Sequence, residues 1–300
     1  MAADGLAPEK NYTGGFTNAT EIRLRIGNGG AGQSGLVGAL ADEFIKWMVN
    51  SNVGWKPFKV GWYLGDTTQS LEFLEQGLID IAITYNEAAE NQSLASGAAV
   101  ERVYGFRDHF MLTGPDSNPA QLTIGKDDAY TMFNKLNKFG KAANQTVSHH
   151  PPVSLSTPPT RFLSRFDKSA TNIKESALFT AIGQVPWAYA YSTWYHQYPR
   201  FPQQALLAAG QLNEYTLTDR GTYLSSPKSV QDSVKIYIAS TDAADDPLLN
   251  PARALRGAKV PDNNLWVAKN FMTFIASPGL GQKVIREYSV NNQTLYTPAP

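Results

Sequence analysis

The chain has 300 residues, with 26 acidic and 26 basic side chains and no cysteine. This length fits one or two domains with a sizeable core, and the balanced charge gives no indication of a nucleic-acid-binding or anionic-membrane-binding surface. The lack of cysteine excludes disulfides, thiolate catalysis and cysteine-based zinc sites, and no apolar run is long enough to span a bilayer.

The first strand and the first helix are predicted on either side of a glycine-rich turn. Residues 1 to about 20 are polar and are expected to form a loose arm. Glu21–Ile26 alternates apolar and polar residues, as a half-buried strand does. Further on, apolar residues recur at intervals of three and four, which predicts a helix with Ser34 as its N-cap. The core-facing residues of that helix are Leu36, Val37, Leu40, Ala41, Phe44, Ile45 and Met48.

The turn between them, Ile26–Leu36, carries the strongest local indication of a ligand site. Glycines between a strand and a helix leave N–H groups pointing outward, and the helix dipole adds partial positive charge, so the turn suits an anion or a polar head group. Its spacing matches neither a phosphate-binding loop nor the dinucleotide-binding fingerprint, so a flexible turn without a ligand remains the alternative. The candidate ligand residues of the turn are Asn28, Gly29, Gly30, Ala31 and Ser34.

A second strand, a second helix and a third strand complete an α/β pattern. Lys56–Leu64 is predicted to be a strand, and Leu71–Gln76 a helix that ends at Gly77. Ile79–Tyr85 is almost continuously apolar, as a buried parallel strand is. Alternating strands and helices with short links indicate a parallel sheet, whose ligands bind at the carboxyl ends of the strands.

Two further polar turns are expected at that edge of the sheet. Thr67 and Thr68 follow the second strand, where their hydroxyls could either bind the ligand or cap the helix. Tyr85 ends the third strand and could form a wall of the site or pack in the core.

The middle of the chain is predicted to form a second α/β lobe. Its aromatic run, residues 186–199, is expected to be irregular, and its Trp and Tyr side chains are interpreted as core or lobe surface, with stacking on a ligand as the alternative. The predicted strands after residue 101 are 106–115, 161–166, 215–219 and 234–240, and the predicted helices are 127–138, 169–182, 202–212, 265–276 and 280–288.

No arrangement in the sequence favours catalysis, a cofactor or a metal. The chain has four histidines, and none lies in a recognisable nucleophile–base motif. His149 and His150 invite a metal interpretation, but adjacent side chains point apart on a strand and the flanking prolines indicate an exposed loop. The sequence therefore predicts a non-enzymatic protein without a cofactor or a metal site.

Glycosylation sequons indicate an extracellular environment. Asn-x-Ser/Thr occurs at five positions, a mild enrichment, and no signal peptide is visible, so we interpret Met1–Asp4 as replacing a removed leader. A secreted, extracellular protein is predicted, periplasmic if it is bacterial. The candidate glycosylation sites are Asn11, Asn18, Asn91, Asn144 and Asn292.

The decapeptide Tyr215–Leu224 gives the most specific indication of a family. Its sequence, Tyr-Thr-Leu-Thr-Asp-Arg-Gly-Thr-Tyr-Leu, closely resembles a signature of the tungstate-binding substrate-binding proteins of bacterial ABC transporters. The resemblance runs from about Ile22 to Tyr296. Other segments similar to the family are Asp80–Ile83, Asn86–Glu90, Asp246–Pro251 and Lys269–Gln282.

This resemblance implies an α/β, two-lobed, periplasmic-binding-protein-like fold of type II, with a central cleft and two hinge crossings. Residues 20–108 and 220–300 would form lobe one, and residues 109–219 lobe two. The implied function is an extracellular solute-binding protein that closes on a small anion, an oxyanion such as tungstate or molybdate. A monomer is expected, and whether a transporter is the partner is left open.

Departures from the family pattern at the ligand residues keep two other functions open. The family's hydroxyl-rich first turn is replaced by Asn28–Ala31, and its Ser-Arg-Gly-Asp-Asp-Ser-Gly-Thr motif becomes Ser164–Thr171, with Phe166 in place of the first glycine. Arg165 is retained and could bind the anion or form an internal ion pair. Arg220 could bind the ligand or have a structural role, either paired with Asp219 or holding the hinge. A reshaped cleft could instead bind a small organic solute against Phe166 and Phe201, or the chain could be a secreted interaction protein that has lost small-molecule binding.

Overall fold

The computed structural model describes residues 6–51, 55–145, 158–188 and 191–300, without the side chains of 143–145. His149 and His150, and most of the loop predicted at 144–159, therefore lie outside the described residues. The chain divides into two compact units, Met1–Asp108 with Asn250–Pro300, and His109–Leu249.

The strands, in chain order, are β1 Lys10–Tyr12, β2 Ile22–Asn28, β3 Lys59–Leu64, β4 Ile81–Thr84, β5 Ala99–Gly114, β6 Phe162–Ser164, β7 Tyr195–Gln197, β8 Tyr215–Asp219, β9 Lys235–Ala239, β10 Leu249–Gly257, β11 Ser289–Val290, β12 Gln293–Thr294 and β13 Thr297–Pro298. The helices are α1 Gly30–Gln33, α2 Leu36–Asn50, α3 Thr67–Gln76, α4 Glu87–Ala95, α5 Ala129–Gln145, α6 Ala170–Ala181, α7 Pro202–Leu212, α8 Arg220–Ser225, α9 Lys228–Gln231, α10 Asp262–Ala276 and α11 Gly281–Glu287, with a 3-10 turn at Pro186–Ala188. Within the described ranges, no helix combines the length and the apolar character needed to cross a membrane.

A parallel core of three strands organises the first unit. β2 lies between β3 and β4 and is parallel to both. β1 pairs antiparallel with β3, and β10 pairs antiparallel with β4. Because parallel strands end at the same edge of a sheet, the turns that follow Asn28, Leu64 and Thr84 lie along one edge, as the sequence predicts.

Helix α2 buries its predicted stripe against this sheet. All seven predicted core residues of the helix have an exposed fraction of at most 1%. Phe44 lies edge-on to Phe271 and Phe274 of α10, with ring centroids 5.2 and 5.3 Å apart. This packing fixes the helix that follows the glycine-rich turn.

The second unit has its own mixed sheet. β6 is parallel to β7 and to β8, while β8 and β9 each pair antiparallel with the end of β5. The sequence placed the second lobe boundary at 219/220, whereas the compact unit extends to Leu249, because β9 pairs with β5 at residues 111–114. Its core is aromatic: Phe133, Phe162 and Phe179 have ring centroids 4.8 to 5.8 Å apart.

The Trp/Tyr-rich run contributes to this second core. Trp194 and Tyr195 are buried within it and Trp187 packs against it, as the core interpretation of the run expects. Tyr191 is 82% exposed, and Tyr189 lies outside the described residues.

Two local predictions are wrong. The arm contains β1, which is paired with β3, and the run predicted to be irregular contains β7, which is paired with β6. Helix α4, which follows the turn after β4, and strand β10 were not predicted. β1 and β7 have only three residues each, too few to show a strand period, and they are stabilised by distant partners.

We predict that the buried ion pair between Arg25 and Asp80 stabilises the first unit. Asp80 is fully buried and accepts hydrogen bonds from the Arg25 backbone N, Nε and Nη2 at 2.8, 3.2 and 2.6 Å. Asp80→Asn would leave the guanidinium without its counter-charge, so we expect the free energy of unfolding to fall by about 2–4 kcal/mol, measured by urea denaturation. The matched control is Glu101→Gln, which removes the more exposed Arg256–Glu101 pair and should cost less than about 1 kcal/mol. Equal losses in the two variants would contradict the prediction.

Candidate ligand-binding site

Asn28 fixes the glycine-rich turn from inside the first unit. It is the last residue of β2 and is fully buried. Its Nδ2 donates to the Ile83 carbonyl at 2.8 Å, and its Oδ1 accepts from the Gly32 amide at 2.8 Å. The side chain therefore joins the ends of β2 and β4 to α1 and positions the turn.

Glycine at 29 and at 32 allows the turn to lie against its neighbours. A Cβ on Gly32 would lie 2.1 Å from the Trp62 ring, and one on Gly29 would lie 3.0 Å from the Gly65 carbonyl oxygen. Trp62 Nε1 in turn donates to the Asn28 carbonyl at 2.8 Å. Gly30 is different, because a Cβ there would meet open space. The exposed backbone of the turn is therefore centred on Gly29 and Gly30.

Ser34 is not the N-cap of α2, contrary to the prediction. The N-cap is Gly35, with φ of +94°, and no side chain caps this helix end. Ser34 instead ends α1, where its Oγ donates to the Ala31 carbonyl at 3.2 Å and lies 2.6 Å from the Tyr296 hydroxyl. A left-handed residue separates the two helices, and this break leaves the Ser34 hydroxyl facing the protein.

The turn after β3 has a capping residue other than the ones predicted. Asp66 is the N-cap of α3 and forms a capping box with Gln69, so neither Thr67 nor Thr68 has that role. The Thr67 hydroxyl is buried and has no hydrogen-bond partner among the described residues. A buried hydroxyl without a partner is unfavourable unless a ligand or water satisfies it.

Tyr85 follows β4 at the same edge. Its ring lies edge-on to Phe106 with centroids 6.2 Å apart, and its hydroxyl is 3.5 Å from Asn28 Nδ2. The side chain is half-buried. It therefore combines the predicted packing role with a position beside the glycine-rich turn.

In the second unit, Arg165 forms the internal ion pair that the sequence left open. The residue follows β6 and is 6% exposed. Its Nη2 pairs with the Asp167 carboxylate, and its Nε donates to the Arg200 carbonyl at 3.0 Å. The guanidinium thus joins the segments that follow β6 and β7.

The residues around this pair have an unusual backbone. Phe166 has φ of +45° and Lys168 has φ of +65°. A left-handed conformation costs a residue with a side chain roughly 1–2 kcal/mol. The Phe166 amide donates to Ser164 Oγ at 3.2 Å, which helps to hold the segment, and its side chain is 41% exposed. Strain of this kind occurs often at ligand-binding segments.

A buried acid lies behind the same segment. Glu175 of α6 is fully buried, and its Oε1 accepts from Asn172 Nδ2 at 2.8 Å and from the Ser164 hydroxyl. Its Oε2 has no partner among the described residues, and burial raises the pKa of Glu175 to about 8. Glu175 was not among the residues predicted from the sequence, although a glutamate on the core face of a predicted helix is a usable signal.

Arg220 differs from Arg165 because its side chain has no partner among the described residues. Asp219 is the N-cap of α8 and accepts from the Thr222 amide at 2.7 Å and the Thr222 hydroxyl at 2.5 Å. Of the roles left open for Arg220, pairing with Asp219 is therefore not the one observed. Arg220 is half-buried and forms no ion pair or side-chain hydrogen bond within the described part of the chain. The nearby Thr218 hydroxyl is also buried without a partner among those residues.

Parallel pairing places both arginines at one edge of the second sheet. β6 and β8 are parallel, with Phe162 opposite Tyr215, and Arg165 and Arg220 each come directly after one of these strands. Thr218 was missed by the sequence analysis, although a threonine in a strand whose residues are all buried is a signal for a polar role. In the described residues, no group of three or more His, Asp or Glu side chains could hold a metal ion.

The predicted glycosylation sites are exposed where the structure describes them. Asn11, Asn18, Asn91 and Asn292 are exposed, and the side chain of Asn144 lies outside the described residues. Asn91 Oδ1 accepts from Arg102 at 2.6 Å. Occupancy of these sequons stays a prediction.

The family of this chain is shown by its match to a protein-family model. A family model described as the PBP superfamily domain matches residues 44–278. The chain belongs to the PBP superfamily. The predicted periplasmic-binding-protein-like α/β fold is therefore confirmed for this PBP protein.

Similar proteins are described as binding metals or tungstate. A solved structure described as a candidate periplasmic metal-binding protein is 51% identical, with a TM-score of 0.85, over 97% of this chain and 99% of that one. The tungstate-binding protein of Peptoclostridium acidaminophilum is 30% identical over 64% of this chain and 57% of its own length. The structure of the tungstate ABC transporter from Geobacter sulfurreducens is 26% identical, with a TM-score of 0.69, over 90% of this chain and 100% of that one.

These similarities confirm the resemblance to tungstate-binding proteins of ABC transporters. The PBP chain spans about three fifths of the length of the curated relatives that it matches.

We predict that Gly32→Ala destabilises this PBP protein, whereas Gly30→Ala does not. The methyl group on residue 32 would overlap the Trp62 ring, and overpacking of this kind costs roughly 1–3 kcal/mol. The methyl group on residue 30 meets open space, so this matched control should be neutral or slightly stabilising. Urea denaturation without ligand measures both, and a Gly32→Ala protein as stable as Gly30→Ala would refute the packing argument.

The buried acid predicts a pH dependence of stability. The pKa of Glu175 is raised from 4.5 to about 8 in the folded protein, so its neutral form favours folding. This contribution is present at low pH and is lost as the pH rises from about 4.5 through 8, at roughly 1.4 kcal/mol per pH unit for one proton. Relative to wild type, Glu175→Gln should therefore become more stable by about 3–5 kcal/mol between pH 5 and pH 8.5. Denaturation at both pH values tests this, and a constant difference would contradict a neutral buried acid.

Proposed function

We propose that this PBP protein is a non-enzymatic solute-binding protein for a small, fully deprotonated oxyanion such as tungstate or molybdate. The observation that carries the proposal is the imbalance between donors and acceptors after the strand ends. Arg220 has no partner among the described residues, and the hydroxyls of Thr67 and Thr218 are buried without one. Charge-assisted hydrogen bonds from an arginine suit an anion with several acceptor oxygens.

The acidic side chains near these donors are already engaged. Asp66 accepts from the Gln69 amide at 2.8 Å, Asp167 pairs with Arg165, and Asp219 accepts from Thr222. These carboxylates cap helices and hold turns, so part of their capacity to accept hydrogen bonds is already used within the protein. An anion that carries only acceptors fits this arrangement better than one that carries a hydroxyl.

The difference between anions with and without a hydroxyl supports selection of tungstate over phosphate. Tungstate and molybdate carry only acceptor oxygens at neutral pH, whereas monohydrogen phosphate has one hydroxyl that needs an acceptor. A buried donor without an acceptor costs roughly 1–3 kcal/mol, which is about a tenfold or greater loss of affinity.

The proposed ligand residues keep the predicted set and divide it into two roles. In the first unit, the backbone of Gly29, Gly30 and Ala31 and the hydroxyls of Thr67 and Thr68 are proposed as anion-binding groups. In the second unit, the proposed anion-binding group is the Arg220 guanidinium. The residues proposed to position these groups are Asn28, Ser34, Tyr85 and Arg165, which have internal partners in the structure.

The proposed cellular role is anion capture outside the cytoplasmic membrane for a membrane transporter. Support comes from the 51% identical protein described as periplasmic and from the relatives described as parts of ABC transporters. Binding without chemistry is supported by the same descriptions, which name binding and transport rather than a reaction.

A second candidate ligand is an organic anion. Phe166 and Phe201 are 41% and 49% exposed, and they flank Arg165 and the Arg200 carbonyl that it holds. Phe166 also adopts a left-handed backbone conformation, which has no evident packing benefit. An anionic head group attached to an aromatic body would use both the positive charge and these rings.

We predict that tungstate and molybdate stabilise the protein and that Arg220→Gln abolishes most of the effect. An anion at 100 times its Kd should raise the free energy of unfolding by about 2.7 kcal/mol, which a thermal shift detects. Loss of the Arg220 charge should weaken binding by about 1.5–3 kcal/mol, or tenfold to more than a hundredfold, measured by calorimetry.

The matched control is Arg161→Gln, which removes an exposed arginine that precedes β6 instead of following a strand end. It should bind the anions as the wild type does. A shift with phenylphosphonate or benzoate but not with tungstate would favour the organic anion, and no shift with any of these would favour an interaction protein. Equal effects of the two arginine variants would refute the role of Arg220.

A further inference from the structure

The C-terminal segment of the first unit carries two tyrosines to the glycine-rich turn. Tyr288, directly after α11, donates its hydroxyl to the Ser34 carbonyl. The Tyr296 hydroxyl lies 2.6 Å from Ser34 Oγ. The carbonyl and the hydroxyl of Ser34 are therefore both hydrogen-bonded to tyrosines from the C-terminal part of the chain.

These contacts lie at the joint between α1 and α2. The N-cap of α2 is Gly35, so no side chain caps that helix. Gly35 at the joint has φ of +94°, and a Cβ there would lie 2.5 Å from the Tyr288 hydroxyl oxygen. The tyrosine thus fills the space beside the left-handed glycine, and the joint depends on it for support.

The segment itself is firmly attached to the first unit. β13 pairs with β5 at Arg107 and Phe106, and Arg107 Nε donates to the Pro298 carbonyl at 2.9 Å. The Ala299 amide donates to Gln282 Oε1 at 2.8 Å. Tyr296 is 1% exposed, and its ring lies edge-on to Phe106 with centroids 5.0 Å apart.

We infer that residues 288–299 form a strap that positions the ligand turn, with Tyr288 and Tyr296 as positioning residues for anion binding. This inference rests on the proposed function, in which backbone N–H groups of Gly29–Ala31 contact the anion. Fixed donors bind more tightly than mobile ones, because no conformational freedom is lost on binding. Coupling is reciprocal, so a bound anion also tightens the strap.

Tyrosine-to-phenylalanine variants test the strap by calorimetry with tungstate. Tyr288→Phe and Tyr296→Phe keep the rings and remove one hydrogen bond each, so each should weaken binding about three- to tenfold, mainly through faster dissociation. The matched control is Tyr237→Phe in the second unit, which removes a buried hydroxyl bond to the Pro115 carbonyl at 2.5 Å. It should lose stability without losing affinity.

Hydrogen exchange of the ligand-free protein gives a readout that needs no anion. In Tyr288→Phe and Tyr296→Phe, the amides of residues 30–36 should exchange at least about threefold faster than in wild type and in Tyr237→Phe. If the wild type binds none of the anions, the proposed function fails, but the hydrogen-exchange measurement still tests whether the strap positions the turn. Unchanged exchange at 30–36 in both variants would overturn the inference, as would unchanged affinity in a wild type that does bind tungstate.

Discussion

The buried amide of Asn28 is the contact on which the first unit's candidate site depends. Its side chain satisfies the Ile83 carbonyl in β4 and the Gly32 amide in α1, while the Asn28 backbone carbonyl accepts from Trp62 Nε1. A shorter or apolar side chain would leave these buried groups without partners, which costs more than a missing surface bond. The geometry of the turn is thus set from within the sheet, and the glycines are needed because the chain passes so close to Trp62 and Gly65.

Both units have the same arrangement of polar groups at the ends of their parallel strands. Each places the ends of parallel strands at one edge, and each engages its acidic residues there in caps or ion pairs. The donors that are left over are the basis of the proposed anion site, although the formal net charge of the chain is zero. Within the described residues, the unpaired donors at the strand ends are therefore better grounds for the proposed ligand class than the net charge of the chain.

Local signals determined how much of the fold could be predicted. α7 and β8 were predicted to the residue, because Pro202 marks the helix start and Asn213, with φ of +55°, marks its end. β10 was missed because its partner β4 lies far away in the sequence, and the Asn250-Pro251 pair interrupts its pattern.

The positions of the candidate site residues could be predicted from the sequence, but their hydrogen-bond and ion-pair partners could not. The three turns of the first unit were placed correctly, yet the choice of Arg165 between ligand and Asp167, and of Asp219 between Arg220 and Thr222, depends on backbone conformations that short-range patterns do not specify. These choices depend on how groups a few residues apart are placed relative to one another. The capping of α8 by Asp219 decided the second of them.

The short strand β1 has a consequence for self-association. β3 is mostly buried and apolar, and without β1 one of its sides would be an open strand edge able to pair with another molecule. The arm covers that edge with only three residues and places the exposed Asn11 on its outer side. Because β1 occupies this edge, we expect the N-terminal arm to limit edge-to-edge pairing between molecules.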